Sequence, residues 1–389
     1  MIPSYLCLAD GSTPAGPDQP RWRTVVRNMV FFFAVLIGFE WVVDRLESPF
    51  QGADKVEKKF AYFAAHKDEF DFVFIGSSRV MNQISPRLFD REMAAAGRPC
   101  RSINLGYAAM FLPESAFLIE RVRALHPARL RGMLVELSSP TPRHDAQHPL
   151  MAREIYWHGP VGTALACAAV LTETSSTYSA AERREQLWRQ GAIYARCLLH
   201  LDSGLTLLDH LRTLGNRRSK RRLATPDLLG PDRDGFFPLR TLLGQGEAGA
   251  VKTGGSTQDL QGFEDNVAAL RAEEAAPLPA PAPPALGFAL GQKILRDVME
   301  RQVRALRASR IEPVYFIGPG TTREQPFLDL AARGVVPRLF AFNDPVAYPE
   351  LYRPDMRADR YHLSPRGAEL LTHLLVQRLT APATRPTRE

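Results

Sequence analysis

Cysteine and lysine are scarce in this chain, and long apolar runs are scarcer. Four cysteines among 389 residues, Cys7, Cys100, Cys167 and Cys197, show no C-x-x-C spacing. That excludes a zinc ribbon and a dense disulfide framework; a Cys167–Cys197 bridge is left open for an oxidising compartment. Of 49 Lys+Arg only seven are lysine, leaving 42 arginines, and the formal net charge is +7. The surplus is too small to demand an acidic partner. The one dense basic run, Arg217-Arg218-Ser219-Lys220-Arg221-Arg222, has no aromatic residue between its charges. It reads as a solvated loop, and no nucleic acid is expected. His144, Asp145 and His148 have histidines at i, i+4, but the flanking Pro142 and Pro149 argue against a helical zinc face. Neither a metal nor a cofactor is expected.

Only one apolar run is long enough to matter for a membrane. Met29–Phe39, MVFFFAVLIGF, is eleven residues without a charge, and it extends from Val25 to Val43 if Arg27, Asn28 and Glu40 are tolerated. A bilayer needs about 20 residues, so the span is short. Its flanks give it an orientation: Arg21, Arg23 and Arg27 precede it, while Asp44 and Glu47 follow it with one Arg45. Basic flanks stay in the cytoplasm. No small-x-small cleavage site follows, so the expectation is an uncleaved signal anchor over 29–45 behind a disordered cytoplasmic tail, 1–28. The remainder would lie outside the inner membrane as a single-pass protein.

The rest of the chain is organised around Asp71–Arg79, DFVFIGSSR. Phe70, Phe72, Val73, Phe74 and Ile75 make an apolar run with one interruption, the composition of a strand buried on both faces of a parallel sheet. Gly76 stops it, and Ser77 and Ser78 follow at once. An amphipathic helix over 54–67 leads in. Ser85-Pro86 is an N-cap serine with proline at the first helical position, opening a helix to about Ala95. Strands at Ser102–Leu105 and Met133–Leu137 flank a helix over Pro113–Leu125. This βαβαβ order implies parallel strands and right-handed crossovers.

The alternation stops for residues 141–288, read as an insertion, helical to about 215 and then loop-like over 225–262. The Ala/Pro tract Ala275–Ala285 reads as an extended linker. The pattern resumes with a helix from about Leu290 to Ser309, a strand at Val314–Ile317, a helix over Pro326–Arg333 and a strand at Leu339–Phe342. A last helix opens at Ser364-Pro365. The expected fold is α/β: a three-layer α/β/α sandwich with a flavodoxin-like parallel five-stranded sheet, in two parts, 54–140 and 289–380. Length alone favours about two domains.

The last loop supplies Asp359-Arg360-Tyr361-His362, an acid and an imidazole three residues apart. Serine needs a base within hydrogen-bond reach, and the base needs an acid to fix its tautomer. Ser78, His362 and Asp359 provide all three from loops at one edge of the sheet. The N–H groups of Ser78 and Gly106 are the candidate oxyanion donors. Ser77, Arg79 and Asn104 are candidate supporting residues. A phosphate cradle at Gly76-Ser77-Ser78 is the alternative, and it gives Asp359 and His362 no role.

Gly76–Arg79 (GSSR), Asn104–Gly106 (NLG) and Asp359–Gly367 (DRYHLSPRG) resemble the first, second and fifth blocks of the SGNH, or GDSL-like, hydrolases. The resemblance covers about 70–140 and 290–378. It implies Ser78 as nucleophile, His362 as base, Asp359 as its acid and Gly106 as a backbone donor. The family's third block, Gly-x-Asn-Asp, is absent; Glu136-Leu137-Ser138-Ser139-Pro140 stands there. With an N-terminal span, the chain is similar to the membrane-anchored proteins of polysaccharide O-acetylation and D-alanine transfer. That implies an esterase or acyltransferase acting on a cell-surface polysaccharide or other acyl acceptor, and a membrane-bound O-acyltransferase as partner. The other expectation is a non-catalytic scaffold of the same shape.

Overall fold

The computed structural model describes residues 22–46, 50, 54–138, 156–172, 179–198, 229–239, 257–275 and 286–381. Residues 1–21 of the expected tail, His144–His148, Arg217–Arg222 and all but the first residue of the Ala275–Ala285 tract lie outside them, whereas 22–28, expected as disordered, are helical.

Five parallel strands form one sheet: β1 (Phe72–Ile75), β2 (Ser102–Asn104), β3 (Gly132–Glu136), β4 (Glu312–Ile317) and β5 (Leu339–Ala341). Their spatial order is β2-β1-β3-β4-β5. The order reverses between β1 and β3, and a crevice opens at the carboxyl ends of strands at such a switch point.

Alternate side chains feed two cores, as a period of two requires. Val73, Ile75, Met133, Val135, Tyr315 and Ile317 face one side. There they pack with α2 (Asp54–Ala65), α5 (Leu112–Ala124), α6 (Pro160–Thr172) and α9 (Leu286–Ala308). Phe74, Leu134, Val314 and Phe316 face the other side. They meet α3 (Ser78–Gln83), α4 (Pro86–Ala95), α8 (Thr257–Ala275) and α11 (Pro365–Thr380). The chain is thus α/β, with helices over both faces of an all-parallel sheet. Helix α7 (Ala180–Leu198) packs on α6, and α10 (Gln325–Ala332) joins β4 to β5.

The stretch expected as an insertion is in part core. Helix α6 lies against α5 and α9. Helix α8 begins at Thr257, inside the stretch 225–262 that reads as loop, and its Phe263 and Val267 are buried beside Leu363 and Leu371. Asp234 O accepts the Asn104 N–H at 2.7 Å, and the Phe237 N–H donates to Met81 O at 3.0 Å. Gly235 has φ +87, and a Cβ there would meet Asn104 O at 1.8 Å, so only glycine fits. Cys167 carries a free thiol, so no Cys167–Cys197 bridge is present.

Helix α1 (Trp22–Leu46) starts well before Met29. At 25 residues it is about 38 Å long, against roughly 30 Å of hydrocarbon. Its most apolar window, Trp22–Phe39, has mean hydropathy 1.4 and no buried residue. It is long and apolar enough to be a membrane anchor.

Candidate active site

Strand β1 ends at Gly76, where a Cβ would meet Val80 Cγ2 at 2.4 Å and Glu136 Cβ at 2.6 Å. Glycine therefore lets α3 and the end of β3 close on the turn. Ser77 is the N-cap of α3: its Oγ accepts the Arg79 N–H at 3.1 Å, and its own N–H donates to Glu136 Oε2 at 2.7 Å. Ser78 is the first helical residue. Its N–H has no intrahelical acceptor, and none among the other described residues.

The opposite wall is the loop before α11. An antiparallel bridge between Arg357 and Leu363 closes it, and the Ala358 N–H donates to His362 O at 2.9 Å. Ser364 then caps α11 by accepting the Gly367 N–H at 3.3 Å. Within this turn Asp359 Oδ1 accepts the N–H groups of Tyr361 and His362, both at 2.7 Å. The His362 ring faces the same carboxylate, with Nδ1 2.9 Å from Oδ2 and 3.0 Å from Oδ1. That contact assigns the ring proton to Nδ1, leaving Nε2 as acceptor for the Ser78 hydroxyl at 2.8 Å. Ser78, His362 and Asp359, separated by 284 and three positions, thus form one hydrogen-bonded line. His362 keeps partial access, its side chain 16% exposed, and Asp359 behind it is buried. Burial pushes the Asp359 carboxyl up, but the hydrogen bonds from the His362 ring and the two N–H groups outweigh it and hold the group below the ordinary range.

The other expected residues have other places. Gly106 sits at the same edge, but its N–H donates to Asn104 Oδ1 at 2.9 Å. The donor expected for an oxyanion is engaged inside its own loop. Asn104 also donates from Nδ2 to Val80 O at 2.7 Å and Ile84 O at 2.9 Å, so it holds the C-terminal end of α3 and acts through that helix. Arg79 Nε lies 2.6 Å from Glu136 Oε1, and the pair anchors the Ser77-Ser78 turn to β3.

Three residues at this edge escaped sequence reasoning. Arg357 is buried, its guanidinium 4.4 Å from the Phe263 ring, and donates to Pro319 O at 3.2 Å and Arg360 O at 3.0 Å. Burial pulls it down to about 10, with Tyr352 and then Asp359 pulling back. It props the Asp359–His362 turn. Glu136 is 3% exposed and serves both Ser77 and Arg79. Lys59, 1% exposed, donates to Gly106 O at 2.7 Å, Gly235 O at 2.8 Å and Asn104 O at 3.3 Å. No periodicity signals an arginine in a loop or one lysine among three in α2; an acid closing an apolar strand, Glu136, was the visible signal.

A groove of about 660 Å³ lies between α4 and α11, past Asn82, Arg91, Phe236, Met356 and Arg366; Ser78, Asp359 and His362 do not line it. Asn82 is one turn beyond Ser78 on α3, and its Oδ1 is buried without a hydrogen-bond partner among the described residues. No group of three or more His, Cys, Asp or Glu able to hold a metal occurs among those residues. No protein-family model, curated protein or solved structure matches the chain.

Proposed function

We propose that the chain is a membrane-anchored, SGNH-like serine esterase or acyltransferase. On this reading it acts outside the cytoplasm on acyl groups, acetyl foremost, of an envelope or secreted polysaccharide. The observation that carries it is the Ser78–His362–Asp359 line. Ser78 Oγ attacks the acyl carbonyl carbon while His362 Nε2 takes the hydroxyl proton. The bond to the departing alcohol breaks, and His362 returns that proton to its oxygen. Water, or a sugar hydroxyl, then attacks acyl-Ser78; His362 takes the incoming proton and passes it to Ser78 Oγ. Asp359 fixes the Nδ1–H tautomer and stabilises the imidazolium. The Ser78 N–H is the candidate oxyanion donor.

One observation favours a second reading. With the Gly106 N–H engaged by Asn104 and the Gly-x-Asn-Asp block missing, the oxyanion has one obvious donor in place of three. A non-catalytic scaffold, binding glycan or docking on a membrane-bound O-acyltransferase, fits that deficit. A fluorophosphonate probe separates the two. Labelling of wild type that disappears in Ser78→Ala supports the enzyme; wild type that stays unlabelled while folded supports the scaffold.

A further inference from the structure

The path of the chain into the domain bears on where the substrate comes from. Helix α5 follows β2, so its first turns stand at the carboxyl edge of the sheet, the edge that carries Ser78. Phe50 packs there: its ring is 5.8 Å from Phe117 and 5.6 Å from Tyr156, and the Tyr156 hydroxyl donates to Glu114 in the first turn of α5. Helix α2 gives the same direction. Lys59, in its first half, reaches Gly106 at the carboxyl edge, whereas Lys67, just past its end, donates to Leu125 O beyond the far end of α5. The chain therefore enters at the Ser78 edge and runs away from it. Helix α1 ends at Leu46, four residues before Phe50, a stretch that spans at most about 14 Å. Wherever α1 leaves the bilayer, the Ser78 edge of the sheet is the edge next to it.

The surface of that edge agrees. Leu290, in the first turns of α9, Val346, in the loop after β5, and Tyr361, beside His362, are 53%, 66% and 48% exposed. The Arg360 guanidinium stands 4.4 Å over the Tyr361 ring. An exposed aromatic ring, an arginine and scattered aliphatic side chains suit the headgroup layer.

We propose that the edge bearing Ser78 faces the bilayer, and that the ester Ser78 attacks is presented at the membrane surface on an amphiphilic, lipid-anchored molecule. The orientation rests on the chain path alone; the substrate class rests also on the reading of Ser78 as a nucleophile.

The test uses the full chain in phosphatidylethanolamine/phosphatidylglycerol vesicles. A fluorescent amino acid is placed at Val346 or, as control at the opposite edge, at Ala308, the exposed last residue of α9. Headgroup spin-labelled lipid should quench position 346 several-fold more than 308; equal quenching, or stronger quenching at 308, overturns the orientation. Next, a rigid helical spacer of about 20 residues, roughly 30 Å, is inserted after Leu46. Turnover of a soluble aryl acetate should stay within about twofold, while turnover of an ester carried on a phospholipid in the same vesicles should fall at least tenfold. Equal effects on both, or a wild type that cleaves only the soluble ester, overturn the substrate class. If wild type cleaves neither ester, the nucleophile reading fails, and the quenching result still decides the orientation.

Discussion

At the scale of single residues, Asp359 and Lys59 show how charge is handled around the candidate site. Asp359→Asn keeps the shape but loses the carboxylate that fixes the His362 tautomer. Turnover of an acyl ester should drop about 100- to 10,000-fold, less than the loss in Ser78→Ala. The folded Asp359 carboxyl is depressed, so its contribution to stability is present above the unfolded value of about 3.9 and is lost as pH falls through the folded value. Acid titrations of the melting midpoint should therefore be shallower in Asp359→Asn than in wild type. In Lys59 the depressed value is a cost of burial rather than a gain, yet the pH slope has the same sign. Burial pulls its ammonium down to about 7, with Asp234 pulling back, from 10.5. Between those values the unfolded chain holds a proton that the folded chain has released, so stability rises with pH. Lys59→Met should abolish that rise between pH 7 and 10.5, measured by denaturant midpoints across the range. An unchanged slope would mean that another group titrates.

At the scale of elements, the strands carry their own signal and the long middle stretch does not. Phe72–Ile75 and Met133–Val135 are apolar enough for a sheet covered on both faces, and Gly76 and Asn104–Gly106 mark where strands stop. The Ser78, Asp359 and His362 positions were legible for the same reason: loops that follow strands in a parallel sheet share one edge. Helix α8 was not legible. Gly, Asp and Gln crowd its approach, and among its described side chains Phe263, Val267 and Leu270 are the buried apolar ones, so propensity gave way to tertiary packing. The engagement of Gly106 was hidden too, because whether an N–H faces a site or its own Asx turn depends on backbone dihedrals that residue types do not set. Helix α8 should matter to the site through Phe263, which stacks under Arg357. Phe263→Ala should cost about 3–5 kcal/mol of unfolding free energy. It should also lower kcat more than KM is changed, by loosening the Asp359–His362 turn. A stability loss with kcat intact would assign α8 to the core alone.

At the scale of the whole molecule, the apolar helix α1 and the α/β domain are joined by a few residues, and Arg21 just before the helix, with Arg23 and Arg27 in its first two turns, sets the expected orientation. A phosphatase reporter fused behind residue 60 should be active, and a reporter that works only in the cytoplasm should be silent at the same junction; the reverse pattern would put the domain inside. The chemistry proposed for that domain depends on Ser78, His362 and Asp359 acting as one unit. The most direct measurement is acyl-ester turnover by wild type, Ser78→Ala, His362→Ala and the double variant, with each shown to be folded. Each single change should lower turnover by several orders of magnitude, on the order of a million-fold in the limit, and the double change by little more, because one loss already disables the unit. A Ser78→Ala variant that keeps turnover near wild type, or a double variant whose loss is the product of the two singles, would contradict the account.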